Sequence, residues 1–390
     1  MSALRLVRPL CRNLRCQPSE QLLLRNFNHP RALCAFISSK ANMAGYQRPA
    51  PFPYKEKKYN WWYQLFDRTI DRFDENSKVL VVDGPIAAGK STFAKQLAED
   101  LDMLYVPEAD LAQAYINKSG YDLRQLNSTL PPNAQYVDVE EFSRNPKHPN
   151  VGVMQVLFLQ LRFLQYIDAL AHLLHTGQGV VLDRSVYSDF VFMEAMFEQG
   201  YLSKNIKAYY EESFSAIQLM LKRPHLIIYL DVPVNIVQQR IKERNRPWEV
   251  NSPVLTEKYL SAIEKHYKLR FLRDMSARSE ILMYDWSNFG DVEVVVEDIE
   301  RINLDIRQYD EKFEDWKTYH DREYGYWRAD YSNNKDQLLT WAEPGYILPE
   351  MMLTNDEGEI LFKALEQIPG GKYEHGYEPK LGDKVFWKWS

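Results

Sequence analysis

Val79-Leu80-Val81-Val82-Asp83-Gly84-Pro85-Ile86-Ala87-Ala88-Gly89-Lys90-Ser91-Thr92 is the stretch on which the fold turns. Its first five residues form a short, β-branched apolar run stopped by Gly-Pro, which reads as a strand buried on both faces. From Lys90 to Asp100, Phe93, Leu97 and Leu101 fall on one face of a helix. Between the two, Gly84 to Ser91 matches G-x-x-x-x-G-K-[ST] in the strand-to-helix setting that the motif's mechanism requires. Backbone N–H groups of Gly84, Ala87, Ala88 and Gly89, with Thr92 in the first helical turn, are expected to cradle phosphate oxygens. Lys90 would reach the terminal phosphates, and the Ser91 hydroxyl would hold Mg²⁺.

Working outward, further short apolar runs occur at about Met103 to Val106, Val180 to Leu182, Leu226 to Leu230 and Ile281 to Tyr284. Helical patterns lie between them, the strongest from about Val153 to His175 and ended by Gly177 and Gly179. This alternation predicts an α/β fold with a mostly parallel five-stranded sheet and helices on both faces. Residues 110–150, with four prolines and few periodic apolar positions, read as a long insertion. Before the first strand, 46–77 is an aromatic, proline-containing arm ending in a short amphipathic helix. Beyond the core at 78–305, residues 306–390 interleave Trp316, Trp327, Trp341, Trp387 and Trp389 with Pro-Gly pairs and read as an extended docking tail.

The first 45 residues carry seven Arg or Lys against the single acid Glu20, together with Cys11, Cys16 and Cys34, all the cysteines of the chain. An Arg-rich, acid-poor, leucine-sprinkled segment reads as a mitochondrial transit peptide, with a basic disordered tail as the alternative. Without it the chain has no cysteine, which excludes disulfides and iron–sulfur ligation there, and no G-x-G-x-x-G turn suggests a flavin. The whole chain of 390 residues has net charge -6, which argues against nucleic acid as a partner. No run of 18 apolar residues suggests a transmembrane segment.

Several polar residues are placed to serve a phosphate site. Asp183 ends the third apolar run and would reach Mg²⁺ at the carboxyl edge of the sheet, with Arg184 beside it to hold an anion; a helix cap is the plainer role for such an acid. Glu108, after Tyr105-Val106-Pro107, would lie at the same edge and accept a proton from an attacking hydroxyl, or else be a solvated surface carboxylate. Gln155 and Arg162 are two turns apart on one helix, as a polar stripe or as a pocket wall able to bind a base edge and an anion. Arg240, Arg244 and Arg246 follow the fourth strand and would close over phosphates, or form a basic solvated face. His172 and His175 have no third ligand in view and read as surface or packing residues.

These motifs resemble the deoxyribonucleoside kinase family over about residues 78 to 300: the P-loop, Asp183-Arg184-Ser185 continued to Asp189, the Gln155 to Arg162 helix, and Arg240-x-x-x-Arg244-x-Arg246 with Glu249. The resemblance implies a P-loop nucleoside kinase-like fold with two catalytic residues, Glu108 as general base and Arg184 as a contact to the substrate hydroxyl and phosphate. It also implies a Mg²⁺-linked Asp183 and a nucleoside pocket of Gln155, Arg162, Asp189 and Glu249. Two positions depart from it. Pro85 replaces a small polar residue and removes one backbone donor, and Ala-Asp-Leu-Ala-Gln follows Glu108 where those kinases have Pro-Val-x-x-Trp. Over its whole length beyond the leader, with the aromatic arm, Thr176 to Leu182, Asp189 to Met196, Val295 to Glu300 and Pro369 to Tyr373, the sequence more closely resembles an accessory-subunit family of mitochondrial NADH:ubiquinone oxidoreductase, complex I. That resemblance implies a non-redox role on the matrix side of the inner membrane, supporting the membrane arm among other complex I subunits with nucleotide binding retained. The alternative is an active mitochondrial deoxyribonucleoside 5'-kinase using ATP and Mg²⁺.

Overall fold

The computed structural model describes residues 37–40, 48–306, 311–373, 376–377 and 382. The leader read at 1–45 lies almost entirely outside them, as do the three cysteines, Trp387 and Trp389.

Five strands form the sheet: β1 Val79–Asp83, β2 Leu104–Val106, β3 Val180–Asp183, β4 Leu226–Asp231 and β5 Glu280–Asp285, in spatial order β2-β3-β1-β4-β5. Every pairing is parallel, so the sheet is wholly rather than mostly so, with Val81 opposite Leu182 on one side and Ile227 on the other. All five residues of β1 are buried, as its unbroken apolar run requires of a central parallel strand. The chain leaves β1 toward one edge of the sheet and leaves β3 toward the other. A crevice therefore opens between their carboxyl ends.

The helix after β1 spans Lys90–Asp100. The longest helix, Val151–Thr176, has 26 residues and stops where Gly177 takes a left-handed backbone. Between β3 and β4 lie two helices, Asp189–Glu198 and Lys204–Met220. Past β4, Val234–Arg244 is followed by Glu257–His266, which runs into a π turn at Tyr267–Phe271.

Both arms depart from expectation. The N-terminal arm carries two short 3₁₀ turns, Trp61–Leu65 and Thr69–Arg72, in place of an amphipathic helix. The C-terminal segment is not extended: it contains helices Arg322–Asn333, Lys335–Ala342 and Asn355–Gln367. Tyr324, Trp327 and Tyr331 recur at three- and four-residue spacing in the first of these and so share one helix face. That helix packs on the long helix Val151–Thr176, and its Tyr331 hydroxyl donates to the Met220 carbonyl at 2.9 Å. His225, just before β4, accepts a hydrogen bond from Val79 N–H at 3.1 Å and packs its ring against Trp316 at 4.4 Å.

Arm and tail meet at Arg328, which is fully buried. Its guanidinium pairs with Asp67 at 2.8 Å, donates to His175 Nδ1 at 3.1 Å and lies 4.1 Å from the Tyr59 ring centroid. Burial and the Arg328 charge push His175 down to about 3, so the imidazole is neutral and Nδ1 is free to accept. His175 also stacks on Tyr54 at 4.9 Å, which makes it a packing residue as expected.

Candidate functional site

The site is built from the carboxyl ends of β1, β2 and β3, with residues from the helices around them. Gly84 leaves β1 with φ 151°, and a Cβ there would stand 2.7 Å from the Leu230 carbonyl oxygen, so only glycine lets β1 and β4 close behind the loop. Gly89 caps the following helix with φ 88°. Lys90 is buried and donates to the Pro85 carbonyl at 2.8 Å. Burial, reinforced by the Arg184 charge, lowers its amine to about 8. The Ser91 hydroxyl donates to Asp183 Oδ2, while the other carboxylate oxygen of Asp183 is buried without a hydrogen-bond partner. Burial raises this carboxyl above its usual range. A hydroxyl, a carboxylate with an unused oxygen and a facing phosphate cradle form a hard-oxygen donor set that fits Mg²⁺, whose remaining ligands would be phosphate oxygens and water.

Glu108 follows β2 at the same edge. It receives Arg184 Nη1 at 2.7 Å and Arg162 Nη2 at 2.9 Å. Burial alone would raise its carboxyl, but Arg184, Arg162 and Lys90 outweigh it and hold the group down at about 2. Arg184 sits at φ 63°, a left-handed backbone that a non-glycine residue adopts at a cost. That turn lets its second nitrogen donate to the Gly84 carbonyl at 3.0 Å, so one guanidinium ties the loop to Glu108.

Asp189, at the start of its helix, is fully buried and accepts from Arg162, from Gln155 at 2.9 Å and from the Tyr210 hydroxyl. Gln155 thus spends an amide hydrogen on Asp189. Arg244 pairs with Glu249 at 2.6 Å and Arg246 with the same carboxylate at 3.5 Å.

A cavity of about 700 Å³ is lined by Ala87 to Thr92, Glu108, Gln155, Arg162, Arg184, Arg244, Arg246 and Glu249, with Phe158, Phe192 and Tyr259 as its apolar wall. These expected residues are brought together. Gly84, Asp183 and Asp189 are not among the lining residues; Asp183 joins the site through the Ser91 hydroxyl. Arg240 departs from expectation: it donates to the Ala88 carbonyl at 3.3 Å and the Trp286 carbonyl at 2.7 Å and lies 4.2 Å from the Phe289 ring centroid, so it does not face the cavity with Arg244. A guanidinium beside free carbonyls and an aromatic face satisfies its donors there.

Two features escaped the sequence. Arg124 and Asp138 of the insertion line the cavity and pair at 2.7 Å. Asp83, the last residue of β1, is fully buried, accepts from Tyr267 at 3.1 Å and has its carboxyl pushed up to about 6 by burial. An acid closing an all-apolar strand beside a phosphate loop was the available signal.

A parallel sheet with this loop and an acid at the end of the neighbouring strand defines a P-loop protein of the nucleoside kinase type. The sequence matches the family described as Deoxynucleoside kinase over residues 80–319. It is 36% identical over 327 residues to NADH dehydrogenase (ubiquinone) 1 alpha subcomplex subunit 10, mitochondrial, of Bos taurus, covering 83% of this chain and 91% of that one. The Mus musculus protein of the same description is 38% identical, with 83% and 87% covered. Deoxyguanosine kinase of Dictyostelium discoideum is 30% identical, over 60% of this chain and 73% of that one. Among solved structures, deoxyadenosine kinase from M. mycoides with bound dATP overlays with a TM-score of 0.43 at 18% identity, covering 57% of this chain and 98% of that one. The chain belongs to the deoxynucleoside kinase family and, within it, to the group formed by the alpha subcomplex subunit 10 proteins of mitochondrial NADH dehydrogenase.

Proposed function

We propose that this protein is an accessory, non-redox subunit of mitochondrial complex I, built on a kinase fold whose nucleotide pocket is retained. One observation carries this reading. Similarity to the alpha subcomplex subunit 10 proteins spans 327 residues, more than the 80–319 stretch shared with kinases, and so includes segments outside the kinase core. Those segments are structured: the arm and the tail helices lock together through Arg328 on the amino edge, away from the pocket. Phosphoryl transfer has no use for them; an assembly role does. We place the protein in the mitochondrion, on the matrix side of the inner membrane and beside the membrane arm. Among the described residues no helix is long and apolar enough to cross a membrane.

In the pocket, the loop from Ala87 to Thr92 would bind nucleotide phosphates, with Lys90, Arg244 and Arg246 supplying positive charge. Gln155 and Arg162 would face the nucleoside, and Phe158 and Phe192 would sandwich apolar surface. Ser91 and Asp183 would hold Mg²⁺, which would neutralise phosphate charge.

The second reading, an active deoxyribonucleoside 5'-kinase, draws on Lys90, Glu108 and Arg184 converging on one cavity. Two arginines hold the Glu108 carboxylate below the usual carboxylate range, which weakens it as a proton acceptor while they stay paired to it. The test is complementation in cells depleted of the protein. Glu108→Gln should restore assembled complex I as fully as the unaltered chain does. Restoration by the unaltered chain alone would return the role to catalysis.

A further inference from the structure

The loop from Asn60 to Asp67 shows its apolar side chains to solvent. Trp61, Trp62, Leu65 and Phe66 are all exposed, Phe66 to 90%, and the two indoles stack on each other at 3.9 Å. Flexibility does not explain this, because the loop is fixed at both ends. At one end Tyr59 is buried, exchanges backbone hydrogen bonds with the Asn333 side chain and touches Arg328. At the other, Asp67 is held by Arg328 and by Arg72. In the middle, Gln64 donates to the Asp321 carbonyl at 3.0 Å. Four large apolar groups are therefore held outward on a rigid base.

The surrounding charge narrows what they meet. Lys55, Lys57 and Lys58, all exposed, stand immediately before the loop with only Glu56 among them, on a chain whose net charge is -6. Arg68 follows the loop and neutralises Asp321 at 2.8 Å. Protein interfaces favour aromatics but are depleted of lysine. Tryptophan, phenylalanine and leucine beside exposed lysines match the boundary between lipid headgroups and acyl chains, where rings enter the interface and ammonium groups meet phosphates.

We propose that the 60–67 loop is a membrane-surface anchor that seats this protein on an anionic phospholipid bilayer, with Trp61, Trp62, Leu65 and Phe66 entering the headgroup boundary and Lys55, Lys57 and Lys58 holding lipid phosphates. The inference needs neither the pocket nor complex I membership.

The experiment is flotation of the full chain with vesicles of phosphatidylcholine alone and of phosphatidylcholine with anionic phospholipid. It compares the unaltered protein with a Trp62→Ser, Phe66→Ser double variant whose thermal melting is checked to be unchanged. The unaltered chain should float with anionic vesicles, less with neutral ones and less at high salt, and the variant should lose about tenfold in apparent affinity. Equal flotation of both proteins, the result if the basic leader alone drives binding, would overturn the proposal. So would no flotation of either, or a variant that floats normally but fails to enter a protein complex, which would make the loop a protein interface. Comigration with complex I is measured separately, so failure here leaves the subunit reading standing.

Discussion

Glu108 lies between Arg162 and Arg184, and its neutral replacement separates two roles. Glu108→Gln removes the carboxylate that both guanidiniums share, at a cost of roughly 1–2 kcal/mol for a partly exposed pair. Thermal melting should show a drop of a few degrees. Asp83 runs the other way. Its folded pKa is raised, so its contribution is favourable below about pH 4 and is lost as pH rises through about 6. Asp83→Asn keeps the acceptor for Tyr267 and should stabilise the protein at pH 7 by on the order of 2 kcal/mol, with the gain vanishing toward pH 4 in denaturant titrations. For Lys90 the folded pKa is lowered: below about 8 the amine is charged in both folded and unfolded states, and stability rises with pH from there toward 10.5. A bound triphosphate would restore the charge. ATP binding near pH 8 should therefore take up protons, detected by calorimetry in buffers of different ionisation enthalpy, and Lys90→Met should abolish that uptake. Residues whose place follows from a strand end, such as Glu108 and Asp183, were legible in the sequence. Arg240 was not, because its position depends on carbonyls of 286 and 287 and the Phe289 ring, distant in sequence.

At the scale of elements, the strands and long helices were readable because apolar runs and 3.6-residue periodicity report burial directly. The tail was misread because its prolines and glycines drew more weight than the spacing of Tyr324, Trp327 and Tyr331. Its last helix was also signed: Thr354 and Glu357 form a capping box, with the Glu357 carboxylate accepting from Thr354 N–H at 2.9 Å. That helix packs on the insertion through Leu361, Leu365 and Ile368 against Leu126 and Leu130, while Asn117 donates to the Pro369 carbonyl at 2.7 Å. Thr354→Ala should cost about 1 kcal/mol of helix stability. Hydrogen exchange should then quicken in 355–367 and in the 117–136 segment it covers, leaving the sheet unchanged. A larger effect belongs to Arg328→Met. Loss of this buried cation leaves Asp67 with Arg72 alone, strips His175 and Tyr59 of their shared partner, and should cost about 3 kcal/mol, with protease cleavage appearing in 48–72.

For the whole molecule, the sheet divides the labour. Its carboxyl edge holds the phosphate loop and the cavity, and its amino edge holds the arm and tail joined by Arg328. This division was only half visible beforehand, since a P-loop announces itself within eight residues whereas the Arg328 cluster joins residues 59, 67, 175 and 328. It also explains how a kinase fold can serve assembly: partners can engage one edge without touching the other. The most direct measurement is native separation of mild-detergent extracts of mitochondrial membranes, with the chain located by peptide mass spectrometry. A complex I subunit should run with the NADH-oxidising complex I band. A chain found only among small soluble species, apart from that band, would contradict the subunit reading.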